Sequence, residues 1–107
     1  MNNEYVAVRH LLTAPRIAAR TAPFIGEESF DFDALARETE TMSGGEQLLV
    51  RIAAELWSAE RRVGLWELVR RLDIENFERV LQALRLARGA YLLSSVAAFL
   101  AERRQAA

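Results

Sequence analysis

The chain contains neither cysteine nor lysine, one histidine and two prolines. The missing cysteine removes disulfides, thiolate nucleophiles and cysteine–zinc sites. It leaves the compartment open, with the cytoplasm as the default expectation. The missing lysine leaves all fourteen basic residues as arginine, a bias that a GC-rich genome produces alongside abundant alanine and leucine. The single histidine, His10, has no histidine or cysteine to share a metal with, so it reads as a surface or half-buried ring beside Leu11. Long hydrophobic runs are missing too. The longest charge-free stretch, Gly89–Ala101, falls short of the roughly 20 residues a bilayer span needs, so no membrane contact is expected. Met1–Glu4 has neither the basic start nor the apolar run of a signal peptide. The formal net charge is −1, which gives no global field to draw in nucleic acid or an anionic surface.

What is present is a balanced globular composition, 51% apolar and 27% charged over 107 residues. That length implies one domain with a core that needs no metal or disulfide to hold it. The apolar residues recur at helical spacing almost throughout, and no segment alternates with a two-residue period. The expected fold is all-α: a compact irregular array of about five helices, with residues 43–89 able to form a trihelical, helix–turn–helix-like core. The organisation expected is a single helical domain, 1–107, whose first segment, 1–30, is the least regular.

Tyr5, Val8, Leu11 and Leu12 fit one face of a short helix that Pro15 ends. Pro23 and Gly26 mark a loop, and a second short helix is predicted from about Asp31 to Glu40, with Asp31 and Asp33 near its start. The next signal is the strongest. Ser43-Gly44-Gly45-Glu46 is a capping box, in which serine accepts the N–H three residues on and glutamate reaches back to the serine N–H. Leu48, Leu49, Ile52, Ala53 and Leu56 follow at one-turn spacing to about Ala59, with Arg51 and Glu55 placed to pair. After a polar turn, Glu60–Gly64, a helix of about two turns carries Leu65, Leu68, Val69 and Leu72. Asp73 then caps a longer helix that Gly89 closes. Its inward side is predicted to carry Ile74, Phe77, Val80, Leu81, Leu84 and Ala87. The order of charge, Glu75 and Glu78 first and Arg85 and Arg88 last, suits the helix dipole, and Glu75 is placed to pair with Arg79. Tyr91–Arg104 is the most apolar segment and is expected to be buried or to lie at an interface.

Met42-Ser43-Gly44-Gly45-Glu46-Gln47 resembles the signature motif of ATP-binding cassette ATPases, whose serine and glycines contact a nucleotide phosphate at a helix start. The likeness covers that one window. The family's phosphate loop requires a lysine, and no apolar run ending in Asp-Glu follows. The capping box accounts for the same residues, so the match is read as coincidence. A second likeness runs from Phe30-Asp31-Phe32-Asp33 through Thr41–Glu46 and Asp73-Ile74-Glu75-Asn76 to Arg85–Gly89. On these residues the chain resembles small helical proteins of actinobacteria and their phages, which implies an origin and no particular activity.

No residues form a recognisable catalytic, cofactor or metal motif, and neither enzyme activity nor a cofactor is expected. Two binding readings stand. In the first, the protein is a non-enzymatic interaction or assembly module that meets another protein or itself. Trp57, Arg61, Arg62, Trp66 and Arg70 are its candidate interface, because tryptophan and arginine are enriched at interface hot spots. In the second, residues 63–89 act as a helix–turn–helix regulator, with Asn76, Arg79, Gln82 and Arg85 on the recognition helix as candidate DNA contacts. Glu75 and Glu78 at the start of that helix would meet phosphates with negative charge, so nucleic acid is the less favoured partner.

Overall fold

The computed structural model describes residues 2–89. Six α-helices follow one another: α1 (Asn3–Leu12), α2 (Ala18–Thr21), α3 (Phe32–Glu38), α4 (Gly44–Ser58), α5 (Leu65–Arg71) and α6 (Ile74–Arg88). Short 3-10 turns continue α2 at Ala22–Phe24 and α3 at Thr39–Thr41. Among the described residues the only β pairing is an isolated bridge between Ile25 and Phe30. The fold is all-α. The prediction for Tyr91–Arg104 lies outside the described residues.

Local chemistry sets the helix ends. Ser43 Oγ accepts from the Glu46 N–H at 3.3 Å, and Glu46 Oε1 accepts from the Ser43 N–H at 2.9 Å, completing the box at the start of α4. Asp31 and Asp73 cap α3 and α6 by accepting the N–H three residues on. Gly89 closes α6 at φ +79°, a conformation that only glycine adopts without strain. Asn2, which sequence periodicity does not single out, caps α1 by accepting from Glu4 and Tyr5.

The core is organised around α1. Ala7, Val8, Leu11 and Leu12 are fully buried, and α1 packs lengthwise against both α4 and α6, which touch each other only briefly. The Tyr5 ring near the start of α1 meets Trp57 near the end of α4, and Gly89 at the end of α6 lies against Asn3 at the start of α1 while His10 is bonded to Gln82 further back in α6, so α1 runs antiparallel to both partners. From α4 come Leu48, Leu49, Val50, Ile52 and Ala53, from α3 Leu35, and from α6 Val80 and Ala83. Residues 43–89 are therefore not a self-contained trihelical core: α1 fills the space between their two long helices. The chain after α1 is tied down by Thr21, whose buried hydroxyl donates to the Leu12 carbonyl at 2.6 Å. Near the chain's other turns, Arg20 pairs with Glu38 at 2.8 Å and bonds Thr41.

Several positions depart from the sequence expectation. Leu56, Leu68 and Leu72 are half-buried against the core. Phe77 and Leu81 are half-buried but stand outside the core cluster, and Leu84 is 43% exposed. The stripe of α6 that turns inward is the one holding Val80 and Ala83, because those small side chains let α1 approach closely. Arg51 does not pair with Glu55. It reaches Glu67 of α5 instead, while Glu55 Oε1 accepts the backbone N–H groups of Arg62 at 2.6 Å and Val63 at 2.9 Å. Glu75 forms no ion pair with Arg79, whose guanidinium donates to the His10 carbonyl at 2.7 Å.

Candidate interaction surface

The helix α5 is short and two-sided, and its inner side is held by charge. Glu67 is covered by its neighbours. Its carboxylate accepts from the Gly64 N–H at 3.0 Å, from Arg51 at 3.3 and 3.2 Å, and from Arg71 at 3.4 Å. The Gly64 N–H, then Arg51 and Arg71, hold its pKa below the ordinary carboxylate value. Arg51 also donates to the Arg62 carbonyl at 2.8 Å. The turn 59–64 is thus fastened by both Arg51 and Glu55, and α5 is fixed in one orientation on α4.

The outer side of α5 is apolar. Leu65 is 83% exposed, Val69 74% and Trp66 58%. The Trp66 indole lies across Gly64 so closely that a methyl group there would stand 2.7 Å from its Nε1. Arg61, Arg62 and Arg70 are exposed around it, and Arg62 holds only a solvent-facing contact with Glu60 at 3.4 Å. Four of the five candidate interface residues, Arg61, Arg62, Trp66 and Arg70, are exposed on α5 or on the turn before it. The fifth is not. Trp57 is half-buried, with its ring edge-on to Phe30 at 5.0 Å and to Tyr5 at 6.4 Å. It closes an aromatic cluster in which Tyr5 stacks on Phe30 at 4.9 Å. Leu65 and Val69 are members of this surface that helical periodicity had assigned to packing. The signal that separates them is Glu67, whose pairing with Arg51 of α4 turns Leu68 and Leu72 inward and these two out.

The four candidate DNA-contacting residues do not form one exposed face. Arg79 and Gln82 turn to α1, where they bond the carbonyl and the ring of His10. Asn76 is bonded to the cap residue Asp73 through both its backbone and its side chain. Only Arg85 is exposed.

His10 is half-buried, 2.7 Å from the Gln82 amide oxygen. Burial lowers its pKa from the usual value, the Gln82 hydrogen bond opposes this, and the Arg79 charge adds to the lowering. The residues of the ATPase-like window are spent inside the fold. Ser43 and Glu46 complete the cap, and Gln47 donates to the carbonyls of Thr39 at 2.8 Å and Met42 at 3.2 Å. Among the described residues no group of three metal-binding side chains is gathered, and no helix is long and apolar enough to cross a membrane. No family model matches the chain, and comparisons with curated proteins and with solved structures give no match either.

Proposed function

We propose that this protein is a non-enzymatic helical interaction module, set in the cytoplasm, that docks onto another protein or a second copy of itself through the outer face of α5. The observation that carries this reading is the exposure of Leu65, Trp66 and Val69 together on a helix whose opposite face is pinned. Large apolar side chains on a rigid element, with arginines exposed on the same helix and on the turn before it, have the composition of an interface centre and its rim. A surface held in place before binding loses less side-chain and backbone freedom when a partner arrives. The non-enzymatic part of the reading rests on the sequence, which offers no nucleophile–base or acid–base motif. The DNA-binding reading has less support, because Arg79 and Gln82 face α1.

The test uses Leu65→Glu and Val69→Glu, separately and together. Both positions are exposed, so the variants keep the helical spectrum and the melting behaviour of the parent. Light scattering and affinity capture from the source organism then compare parent and variants, with hydrogen exchange on any complex recovered. The reading requires an assembly that the variants lose and in which α5 amides become protected. A parent that stays monomeric and captures nothing, or a partner retained equally by every variant, refutes it.

A further inference from the structure

The outer face of α5 is charged as well as apolar, and its charge has one sign. From Ala59 to Leu72 the bases are Arg61, Arg62, Arg70 and Arg71, and the acids are Glu60 and Glu67 alone. Glu67 is turned inward onto Arg51 and Arg71, so it offers nothing to the outside. Glu60 meets Arg62 across solvent. Among the described residues neither Arg61 nor Arg70 pairs with a carboxylate. Arg70 stands one turn beyond Trp66 and next to Val69, on the same side of the helix. At the start of the helix the Trp66 indole leans back over Gly64, the cap residue through which the turn carrying Arg61 and Arg62 enters α5. Unneutralised arginine therefore stands in the chain at both ends of the apolar face.

We propose that the partner of this face is an acidic segment of another protein, one that presents large apolar side chains flanked by Asp or Glu. The inference rests on the docking reading above and narrows it to one chemistry. Leu65, Trp66 and Val69 call for apolar cover, and Arg61 and Arg70 call for carboxylates. An acidic amphipathic segment brings both. Arginine suits the second task, because its planar guanidinium takes a carboxylate in a fork of two hydrogen bonds while its stem lies on apolar neighbours.

The other occupants fit less well. A two-fold interface sets the same patch against itself, so in a pair of copies the arginines of one face those of the other, and like charges oppose the contact. Nucleic acid supplies anions but no apolar surface for Leu65 and Val69, and a polyanion running past α5 meets the exposed carboxylates of Asp73 and Glu75. The formal net charge of −1 gives no field toward an anionic bilayer.

The probes are peptides drawn by phage display from a random library on the immobilised full-length protein, then synthesised with a fluorescent label. Anisotropy titrations compare the parent with two double variants, Leu65→Glu with Val69→Glu and Arg61→Glu with Arg70→Glu. All four positions are exposed, and circular dichroism and melting unchanged from the parent verify that both variants fold. The expected peptides combine Asp or Glu with Leu, Phe or Trp. They lose binding to the first variant, bind the second about tenfold or more weakly, and bind the parent less well as salt rises. Exchanging their acids for lysine restores binding to the second variant. Uncharged or basic peptides, no enriched peptide, or acidic peptides indifferent to Arg61→Glu with Arg70→Glu overturn the acidic partner. In that last case sensitivity to Leu65→Glu with Val69→Glu leaves the docking face standing, whereas indifference to both variants removes it as well. Single-stranded DNA and phosphatidylserine vesicles are the remaining probes. Tighter binding of either through the same arginines overturns the proposal, and so does a parent that light scattering shows to dimerise through α5.

Discussion

Replacing Leu11 with alanine tests the whole arrangement, because Leu11 sits on α1 where that helix lies between α4 and α6. Its side chain is fully buried in the core cluster. Returning the lost carbons to the reference of water removes about 2 kcal/mol of transfer free energy. The neighbours on three helices cannot all close the gap, so a cavity cost adds to it, and the total expected is about 2–5 kcal/mol. A domain of this kind has about 5–15 kcal/mol in all, so the change is large and readily measured. Leu65→Ala is the control. The same chemistry is altered at a position 83% exposed, and the expected change is within about 0.5 kcal/mol. Urea denaturation followed by far-ultraviolet circular dichroism gives both midpoints, and equal slopes show that both variants unfold as the parent does. If Leu11→Ala leaves the midpoint in place, or if Leu65→Ala is the costlier change, α1 is not the centre of the core and the account of α5 as an outward surface fails with it.

Thr21→Val removes the hydroxyl that satisfies the Leu12 carbonyl inside the protein, and a loss of about 1–3 kcal/mol is expected in the same assay. Ala59 ends α4 at φ 59°, in the left-handed region. Ala59→Gly relieves a strain of about 1–2 kcal/mol against a glycine entropy cost of about 0.5–1 kcal/mol, so a small rise in midpoint is expected, and a fall would contradict the backbone conformation. For His10 the folded pKa lies below the ordinary 6.5. The unfolded chain therefore holds more protons between the two values, so stability is intact above pH 6.5 and declines as pH falls below it, levelling off once the folded imidazole titrates. His10→Gln flattens that part of the pH profile, and a profile unchanged by the substitution refutes the assignment.

How much of this the sequence discloses depends on the range over which each cause acts. The cap at Ser43, the caps at Asp31 and Asp73 and the stop at Gly89 are legible because each is decided within about one turn of backbone. The orientation of α6 is not. Its residues at Val80 and Ala83 and those at Phe77, Leu81 and Leu84 are equally acceptable inner faces until α1 is present, and α1 is separated from them by most of the chain. The tryptophans show the same limit. Trp57 and Trp66 flank one turn and look equivalent, yet Tyr5 and Phe30 draw Trp57 into an aromatic cluster while Trp66 folds over Gly64 and stays out.

The placement of Glu67 links these observations. Within α5 it is the one acidic residue and sits between the apolar pairs Leu65-Trp66 and Leu68-Val69, and periodicity assigns such a residue to solvent. Burial becomes favourable only because Arg51, Arg71 and the Gly64 N–H meet its carboxylate together, replacing the water it gives up. Once Glu67 faces inward, the geometry of a helix leaves Leu65 and Val69 nowhere to point but outward, since they lie on the side opposite it. The exposed apolar surface is thus a consequence of an ion-pair arrangement. A chain that needed α5 only for stability would be better served by an apolar residue at position 67 or polar ones at 65 and 69. Keeping the charge inside and the leucine and valine outside is a stability cost that a docking surface would explain.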